Sequence, residues 1–223
     1  MHKNHFIILG HCNTTLGIIL DSLYSLFKEQ VTVTIINNID SKENRFDEMP
    51  YLHHKITTKE IPISDFRPQA EDQYILTGMS PKIKKIILND FKNQAPINTQ
   101  NFHPIIHKSA VITNGVTTAN SVNISPLSVI AQYATLHDFV TINRNVSVGH
   151  HTVIEAFSSI NPGCNIGGNC HIGSGVTIGI GATVFDGITI GDNAIIGGGA
   201  VVTKDVKANT LVFGSPAKFI KEI

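Results

Sequence analysis

A repeat of six residues runs through the second half of the chain and constrains its fold more than any other feature. From Ile106 to Val202, every sixth position is Ile, Leu or Val in sixteen of seventeen cases, with Thr118 as the exception. The fourth residue after each of these positions is usually small or β-branched. Examples are Ser128, Ala134, Val146, Thr152, Ser158, Cys164, Cys170, Val176, Ala182, Ala194 and Ala200. A period of six fits neither an α-helix nor a sheet of hairpin-connected strands.

The period does fit a triangular parallel coil, in which each hexad forms one short side and three hexads form one turn. The aliphatic residue then points inward, the small residue fills the corner, and each strand pairs with its equivalent eighteen residues away. Glycine often follows the aliphatic residue, as at Gly149 and Gly167, and we expect it to supply unusual backbone angles at the bend. The sequence therefore predicts a parallel β-helix of nearly six coils around an apolar column.

Charge and cysteine usage exclude several classes of function. The 223 residues include 17 basic and 17 acidic side chains without a basic cluster, which argues against binding to nucleic acid or to an anionic membrane. Three cysteines without CxxC spacing argue against a disulfide scaffold and a zinc knuckle. The apolar runs are too short for a signal peptide or a membrane span. We therefore expect a cytoplasmic protein whose partners are small molecules or copies of itself.

The residues before the repeat follow a different pattern. Apolar runs at 6–9, 31–36 and 74–76 indicate strands, and helical spacing indicates a helix from Leu16 to Phe27. Ser80 and Pro81 predict the start of a second helix, whose apolar stripe comprises Ile83, Ile86, Ile87 and Phe91. The alternation predicts a small parallel α/β domain at 1–100 and a coil domain at 101–223, joined by the polar run 92–101.

Together these features resemble a known enzyme family. The small α/β domain, the hexapeptide coil and the ending GSPAK at 214–218 are similar to the sugar O- and N-acyltransferases related to sialic acid O-acetyltransferase and bacillosamine-pathway N-acetyltransferase. The resemblance implies a Rossmann-like α/β domain followed by a left-handed parallel β-helix. It also implies transfer of an acyl group from acetyl-CoA, or another acyl-CoA, to an amino or hydroxyl group of a sugar or nucleotide-linked sugar. Three flat faces packing around a three-fold axis would give a homotrimer with acyl grooves between neighbours.

His150 is the candidate catalytic base. Family members carry a segment similar to NTGASVDHDC, and NRNVSVGHHT at 143–152 places His150 on the catalytic histidine and Asn143 on the family's asparagine. His151 stands where the family has an acidic residue. Imidazole titrates near neutral pH and can remove the proton of an amine or hydroxyl as it attacks a thioester. Since His151 lacks a carboxylate, we expect activity to persist to more acidic pH than in a carboxylate-bearing variant. Alternatively, the two histidines are a solvated pair on an exposed face.

The same resemblance implies contacts to acyl-CoA along the later coils. The matching positions are Ser159, Gly168, Ile180 and Gly198, where backbone amides would bond the pantetheine arm and small residues would let it approach. Ser159 departs from the family, which commonly has histidine there. Each glycine can alternatively be a corner residue only. The other histidines of the coil domain, His103, His107, His137 and His171, are expected at the surface.

In the first domain, the family has a glycine-rich turn similar to GxGGHG that cradles the diphosphate of a nucleotide sugar at a helix N-terminus. The inner glycines are missing here, and asparagines replace the acidic residues that follow the second strand of the family. The implied acceptor site comprises Gly10, His11, Cys12, Asn13, Asn37, Asn38 and Gly78. The alternative is a domain that serves packing only.

Two other classes of function remain as alternatives. A purely structural solenoid predicts no binding of acyl-CoA. A zinc hydratase similar to γ-class carbonic anhydrases requires three histidines at a subunit interface, but the HxxxxH pair is absent and His150 and His171 do not stack, so we expect no metal. The sequence leaves open the acceptor sugar, N- versus O-acylation, the acyl chain length and nucleotide binding by the glycine-poor turn.

Overall fold

The N-terminal part of the chain is a parallel sheet with one helix on each face. The computed structural model describes residues 4–10, 13–38, 55–94 and 97–223. Within them, the elements of this part are β1 His5–Leu9, α1 Asn13–Leu26, β2 Val31–Asn37, β3 Ile56–Pro62, β4 Tyr74–Leu76 and α2 Pro81–Gln94. The strand order is β3-β2-β1-β4, and all neighbours are parallel. No helix in the described ranges is both long and apolar enough to cross a membrane.

Side-chain alternation in the strands builds two apolar layers. Ile8 faces α1 and packs in one cluster with Leu16 and Leu20, while Leu9 points to the opposite face and packs with Ile87 and Phe91 of α2. The three predicted strands and both helices are confirmed. Strand β3 was not predicted, because most of its side chains are at least partly exposed and its sequence ITTKEIP has no clear apolar alternation.

The apolar stripe predicted for α2 is half wrong. Ile87 and Phe91 are buried, but Ile83 and Ile86 are 46% and 49% exposed. Lys84 takes a core position instead, with only 2% of its surface exposed. The start of the helix is as predicted, since the Ser80 hydroxyl accepts a hydrogen bond from the backbone N–H of Ile83 at 3.3 Å.

The rest of the chain is a coil of short strands, and the predicted hexads are confirmed. Each of seventeen two-residue strands ends on the hexad position. They are β5 Ile105–Ile106, β6 Val111–Ile112, β7 Thr117–Thr118, β8 Asn123–Ile124, β9 Val129–Ile130, β10 Thr135–Leu136, β11 Thr141–Ile142, β12 Ser147–Val148, β13 Val153–Ile154, β14 Ser159–Ile160, β15 Asn165–Ile166, β16 His171–Ile172, β17 Thr177–Ile178, β18 Thr183–Val184, β19 Thr189–Ile190, β20 Ile195–Ile196 and β21 Val201–Val202. The aliphatic hexad positions and the apolar small residues that follow them form one apolar column.

The strands stack into three parallel sheets, which are the faces of a triangular prism. Face 1 contains β5, β8, β11, β14, β17 and β20. Face 2 contains β6, β9, β12, β15, β18 and β21, and face 3 contains β7, β10, β13, β16 and β19. Partners are eighteen residues apart, as in the pairs of Ile142 with Ile160 and Val148 with Ile166. This arrangement fits the predicted left-handed parallel β-helix with hexapeptide repeats.

The role expected for the corner glycines was wrong. Gly149 and Gly167 do not have positive φ; the left-handed conformation falls two residues later, for example at His151 and Asn169 with φ of 57° and 55°. Gly149 is required for a different reason, because a Cβ there would lie 2.4 Å from the carbonyl carbon of Gly167 in the next coil. These glycines allow the close approach of successive coils.

The C-terminal ending extends face 1. Strand β22, Thr210–Phe213, pairs in parallel with β20, and β23, Lys218–Glu222, pairs with β22 in the antiparallel direction. The segment that resembles the family ending connects these two strands, and the amide of Ala217 donates to the carbonyl of Val201 at 2.7 Å. The ending therefore packs on the last coil.

Lys84 connects α2 to the coil. Its Nζ donates to the carbonyl of Phe139 at 2.7 Å, to Oγ1 of Thr141 at 3.1 Å and to the carbonyl of Ser158 at 3.3 Å. Burial, and to a smaller extent the charge of Lys85, lowers the pKa of Lys84 to about 7. The N-terminal part is thus held against face 1 by a buried lysine that touches two successive coils.

Candidate active site

The two candidate catalytic histidines lie at the edge where face 2 turns into face 3. They occupy the turn between β12 and β13, and both side chains are exposed. His151 has φ of 57°, the left-handed conformation that recurs at this place in successive coils. This turn directs the two rings outward, next to each other.

The two rings contact each other through the Nδ1 atom of each. Nδ1 of His150 is 3.1 Å from Nδ1 of His151. The other side of His151 packs against Tyr133, with ring centroids 4.9 Å apart. When Nδ1 of His150 carries the hydrogen and donates it to His151, the lone pair of its Nε2 is free to accept a proton. Packing against Tyr133 thus restrains the ring of His151, and this ring contacts the ring of His150.

Gly168 lies one coil further along the same edge and leaves room for the His150 ring. A Cβ on Gly168 would lie 2.8 Å from both Cε1 and Nε2 of His150. The backbone amide of Gly168, which we expected to bond acyl-CoA, already donates to Oδ1 of Asp186 at 2.6 Å. In this structure Gly168 therefore provides space beside the imidazole, and its amide is engaged by a carboxylate.

Two other predicted contacts are buried elsewhere. Ser159 lies on face 1 with 1% of its surface exposed, next to the region where Lys84 docks, so its side chain is not accessible to a surface groove. Asn143 is also 1% exposed and begins the turn between faces 1 and 2, where its Oδ1 accepts from the amide of Arg144 at 2.8 Å. Both side chains are therefore inaccessible in the isolated chain, and the predicted contacts of Ser159 with acyl-CoA and of Asn143 with substrate stay predictions.

Ile180 and Gly198 form a second pair of candidate residues at another edge of the prism. Both lie in turns between face 1 and face 2, one coil apart, and the Ile180 side chain is 61% exposed. A Cβ on Gly198 would be 3.3 Å from Cγ2 of Ile180. The candidate acyl-CoA residues are therefore divided between two edges of one chain, with Gly168 beside His150 and this pair on the other edge.

The predicted acceptor residues of the N-terminal part gather at one edge of its sheet. Gly10, Asn37 and Gly78 lie at the carboxyl ends of β1, β2 and β4, which are neighbours in the sheet. Asn38 follows Asn37, and its Nδ2 donates to Oδ2 of Asp90 at 3.0 Å.

The two glycines in this group have positive φ, 90° at Gly10 and 111° at Gly78. A Cβ on Gly10 would lie 2.7 Å from Cδ1 of Ile87. Asn13 begins α1, while His11 and Cys12 lie outside the described residues.

Sequence reasoning missed Tyr133, Asp186 and Lys84. The contacts of Tyr133 and Asp186 could have been predicted from the eighteen-residue stacking period, since Tyr133 precedes His151 by one coil and Asp186 follows Gly168 by one coil. The role of Lys84 could not be predicted from sequence, because its hydrogen-bond partners lie on the coil, far away along the chain. The expectation that His107 is a surface residue was wrong, since it is 9% exposed and its Nδ1 is 2.8 Å from Oγ of Ser109. Within the described ranges, no group of three or more His, Cys, Asp or Glu is arranged to hold a metal ion.

The family model described as bacterial transferase hexapeptide (six repeats) matches residues 169–204. No curated protein sequence matches the chain. Perosamine N-acetyltransferase from Caulobacter crescentus, solved in complex with CoA and GDP-perosamine, is similar with a TM-score of 0.78 and 21% identity over 100% of this chain and 99% of that chain. The chain shares its fold with sugar acetyltransferases.

Two further structures extend this likeness. The acetyltransferase domain of PglB from Neisseria gonorrhoeae, in complex with acetyl coenzyme A, has a TM-score of 0.77 and 20% identity over 97% of this chain and 100% of that chain. WeeI from Acinetobacter baumannii has a TM-score of 0.73 and 20% identity over the same shares. The likeness spans both the N-terminal sheet and the coil, so the two parts together constitute the shared fold.

Proposed function

We propose that this protein is an acetyl-CoA-dependent acetyltransferase that acylates an amino or hydroxyl group of a sugar or nucleotide-linked sugar, with His150 as general base. The observation that carries the proposal is the exposed imidazole of His150, whose Nδ1 contacts His151 and whose Nε2 borders the space left by Gly168. Structures of the same fold hold CoA with GDP-perosamine, or acetyl coenzyme A, which supports the two substrate classes.

The chemistry moves one proton in two steps, from the acceptor to His150 and from His150 to CoA. The acceptor nitrogen or oxygen attacks the carbonyl carbon of the thioester, its proton passes to Nε2 of His150, and the C–S bond breaks. The proton then passes to the departing CoA sulfur, which regenerates the base. In the starting tautomer, Nδ1–H of His150 donates to Nδ1 of His151, so the imidazolium that forms keeps this hydrogen bond. His151 thereby orients the base.

The assembled site requires a second copy of the chain. His150 and Gly168 lie on one edge of the prism, and Ile180 and Gly198 lie on another. In a homotrimer, the edge with His150 of one subunit faces the edge with Ile180 of the next, and acyl-CoA occupies the groove between them. We infer that the N-terminal part is a Rossmann-like domain that contributes to the acceptor site near Gly10 and Gly78, which its parallel strand order and the helix on each face support. A cytoplasmic location remains our prediction.

The test is acetyl transfer measured as thiol release from acetyl-CoA, with a panel of amino-sugar nucleotides, the corresponding hydroxyl sugars and free sugars as acceptors. We expect turnover with at least one acceptor and a loss of about 10²–10⁴-fold in kcat for His150→Ala. The matched control is His171→Ala, which removes another exposed histidine, on face 3. Normal turnover by His150→Ala would refute the assignment of the base. Failure of the wild type to bind acetyl-CoA would favour the structural solenoid.

A further inference from the structure

A groove lies between the outer side of α2 and the later coils of face 1. Its volume is about 720 Å³, which is within the range of small-molecule sites. The helix and its capping residue Ser80 contribute Ser80, Pro81, Lys82, Lys85, Ile86 and Asn89, and the coil contributes Gly175, Thr177, Asn193 and Ile195. None of the residues discussed above as catalytic or acyl-CoA-binding lines it.

The groove begins where a ladder of aromatic side chains stops. At the edge between faces 3 and 1, Phe139 and Phe157 occupy equivalent places in successive coils and stack with ring centroids 4.9 Å apart. Phe102 packs on the lower end of the ladder, 5.0 Å from Phe139. The equivalent residue in the next coil is Gly175, which has no side chain. The space between the coil and α2 is therefore not filled at that position.

Backbone conformation does not require glycine at this place. Gly175 has φ of 69°, but Phe139, Phe157 and Asn193 adopt φ of 60°, 66° and 56° at the equivalent places of neighbouring coils. The absence of a side chain at Gly175 therefore has a spatial consequence. A Cβ there would lie 3.2 Å from Nζ of Lys85 and 2.7 Å from Oδ1 of Asn193, so any side chain would enter the space that the lysine head occupies.

The lining has one sign of charge. Lys82 and Lys85 are exposed and lie on the groove side of α2, and among the described lining residues there is no aspartate or glutamate. Lys85 also lies over the Phe157 ring, 5.5 Å from its centroid, which restrains its direction. Apolar surface is provided by Ile86, which is 49% exposed, and by Ile195 on the opposite wall. Two cations beside an apolar wall are complementary to an anion that carries a ring or other apolar group.

We propose that this groove binds the nucleoside diphosphate portion of a substrate, with Lys82 and Lys85 on the phosphates and Ile86 and Ile195 against the remaining part. The proposal rests on the proposed function in its choice of ligand, since both CoA and a nucleotide-linked sugar contain a nucleoside diphosphate ester. The shared chemistry is the diphosphate, and the two sources are separated by experiment. The groove would also compensate for the glycine-poor turn after Gly10, by moving phosphate recognition from backbone amides to lysine side chains.

The experiment measures binding to the full-length protein by calorimetry at fixed ionic strength. The probes are CoA, UDP, GDP and inorganic diphosphate, and the variants are Lys82→Gln/Lys85→Gln, Gly175→Asn and Lys59→Gln. Asn tolerates the left-handed conformation and stands at the equivalent place in the next coil, so Gly175→Asn fills the groove without straining the turn. Lys59 is an exposed lysine on β3, and its replacement controls for the loss of an exposed positive charge outside the groove. Melting temperatures establish that each variant is folded.

We expect the double lysine variant to weaken the bound probe by about tenfold or more and to reduce the salt dependence of binding. Gly175→Asn should weaken the same probe, whereas Lys59→Gln should leave it unchanged. Weakening of CoA alone identifies the acyl donor as the source, and weakening of UDP or GDP alone identifies the acceptor. Wild-type affinity of the folded double variant for every probe, or no binding of any probe by the wild type, overturns the proposal. Binding is independent of His150→Ala, so a chain that binds these probes but transfers no acetyl group refutes only the proposed reaction.

Discussion

The Nδ1 atoms of His150 and His151 lie 3.1 Å apart, which is a hydrogen-bond distance, and in such a bond one of them carries the hydrogen and the other accepts it. Only one of the two arrangements leaves Nε2 of His150 free as a base. If His151 becomes a cation, its Nδ1–H must point at Nδ1 of His150 and forces the hydrogen of His150 onto Nε2. In the proposed mechanism, the state of His151 would therefore decide whether His150 accepts the proton of the attacking group.

His151→Glu tests this coupling. A carboxylate accepts from Nδ1–H of His150 at all pH values above its own titration and favours the imidazolium, so the acid limb of the kcat profile should move to higher pH. The measurement is thiol release between pH 5.5 and 9 for the wild type and the variant. His151→Phe retains the stacking on Tyr133 but has no acceptor, and should lower kcat more than it changes KM. An acid limb that stays in place in His151→Glu would show that the neighbour does not tune the reaction.

Gly168→Ala should impair catalysis through the position of the base. The added Cβ would lie 2.8 Å from the His150 ring, so the imidazole must turn away from its present direction. We expect a fall of about 10–10²-fold in kcat, because small displacements of a catalytic group are costly. Gly17→Ala is the control, since a Cβ there meets nothing within 4 Å. Unchanged kcat in folded Gly168→Ala would mean that the present ring position is not the active one.

The parts of the structure that repeat with the sequence were predictable, and the parts that depend on docking were not. The hexad positions, the register of eighteen and the exposed place of His150 all follow from local periodicity, because each coil contacts mainly its neighbours. The burial of Ser159 depends on α2 covering face 1, which is a contact between distant segments. No pattern within the hexads distinguishes it from Ser147, which has the same place in its strand and is exposed.

The prediction about the corner glycines was wrong for a related reason. Gly149 was assigned to the bend from its residue type, but bulky residues such as Phe139 and Tyr133 adopt the left-handed conformation at the true bend. What requires glycine at 149 is the backbone of the next coil at 2.4 Å. A steric requirement between coils becomes visible only when the strands are stacked.

Lys84 should make stability depend on pH. Its pKa in the folded protein is lowered to about 7, below the ordinary value of 10.5, so the unfolded chain binds more protons between these values. Its contribution to the free energy of unfolding therefore rises with pH from about 7 to 10.5, by at most about 1.4 kcal/mol per pH unit. Urea unfolding at pH 6 to 10 should show a smaller rise for Lys84→Met than for the wild type. Lys92→Met, an exposed position on the same helix, should keep the wild-type slope. Equal slopes in all three proteins would refute the assignment.

Ile166→Asp should unfold the coil. Ile166 is 3% exposed within the apolar column, and an unpaired carboxylate there would cost several kcal/mol, on the order of 3–5 kcal/mol. Asn165→Asp is the matched control, because residue 165 is the exposed partner in the same strand. Thermal unfolding followed by circular dichroism distinguishes the two variants. A normal melting temperature for Ile166→Asp would contradict the inward register.

Mixing two inactive variants should restore activity if the site is shared between subunits. His150→Ala removes the base from one edge, and Ile180→Trp places a bulky ring on the other edge, where residue 180 is 61% exposed. In each mixed trimer, one of the three interfaces would combine an intact edge from each variant, which is about a quarter of all interfaces after random assembly of equal amounts. Sedimentation should first show a trimer at micromolar concentration. We then expect thiol release from co-refolded protein, and none from either variant alone or from the two mixed after folding. A stable monomer, or co-refolded trimers without activity, would contradict a groove between neighbours.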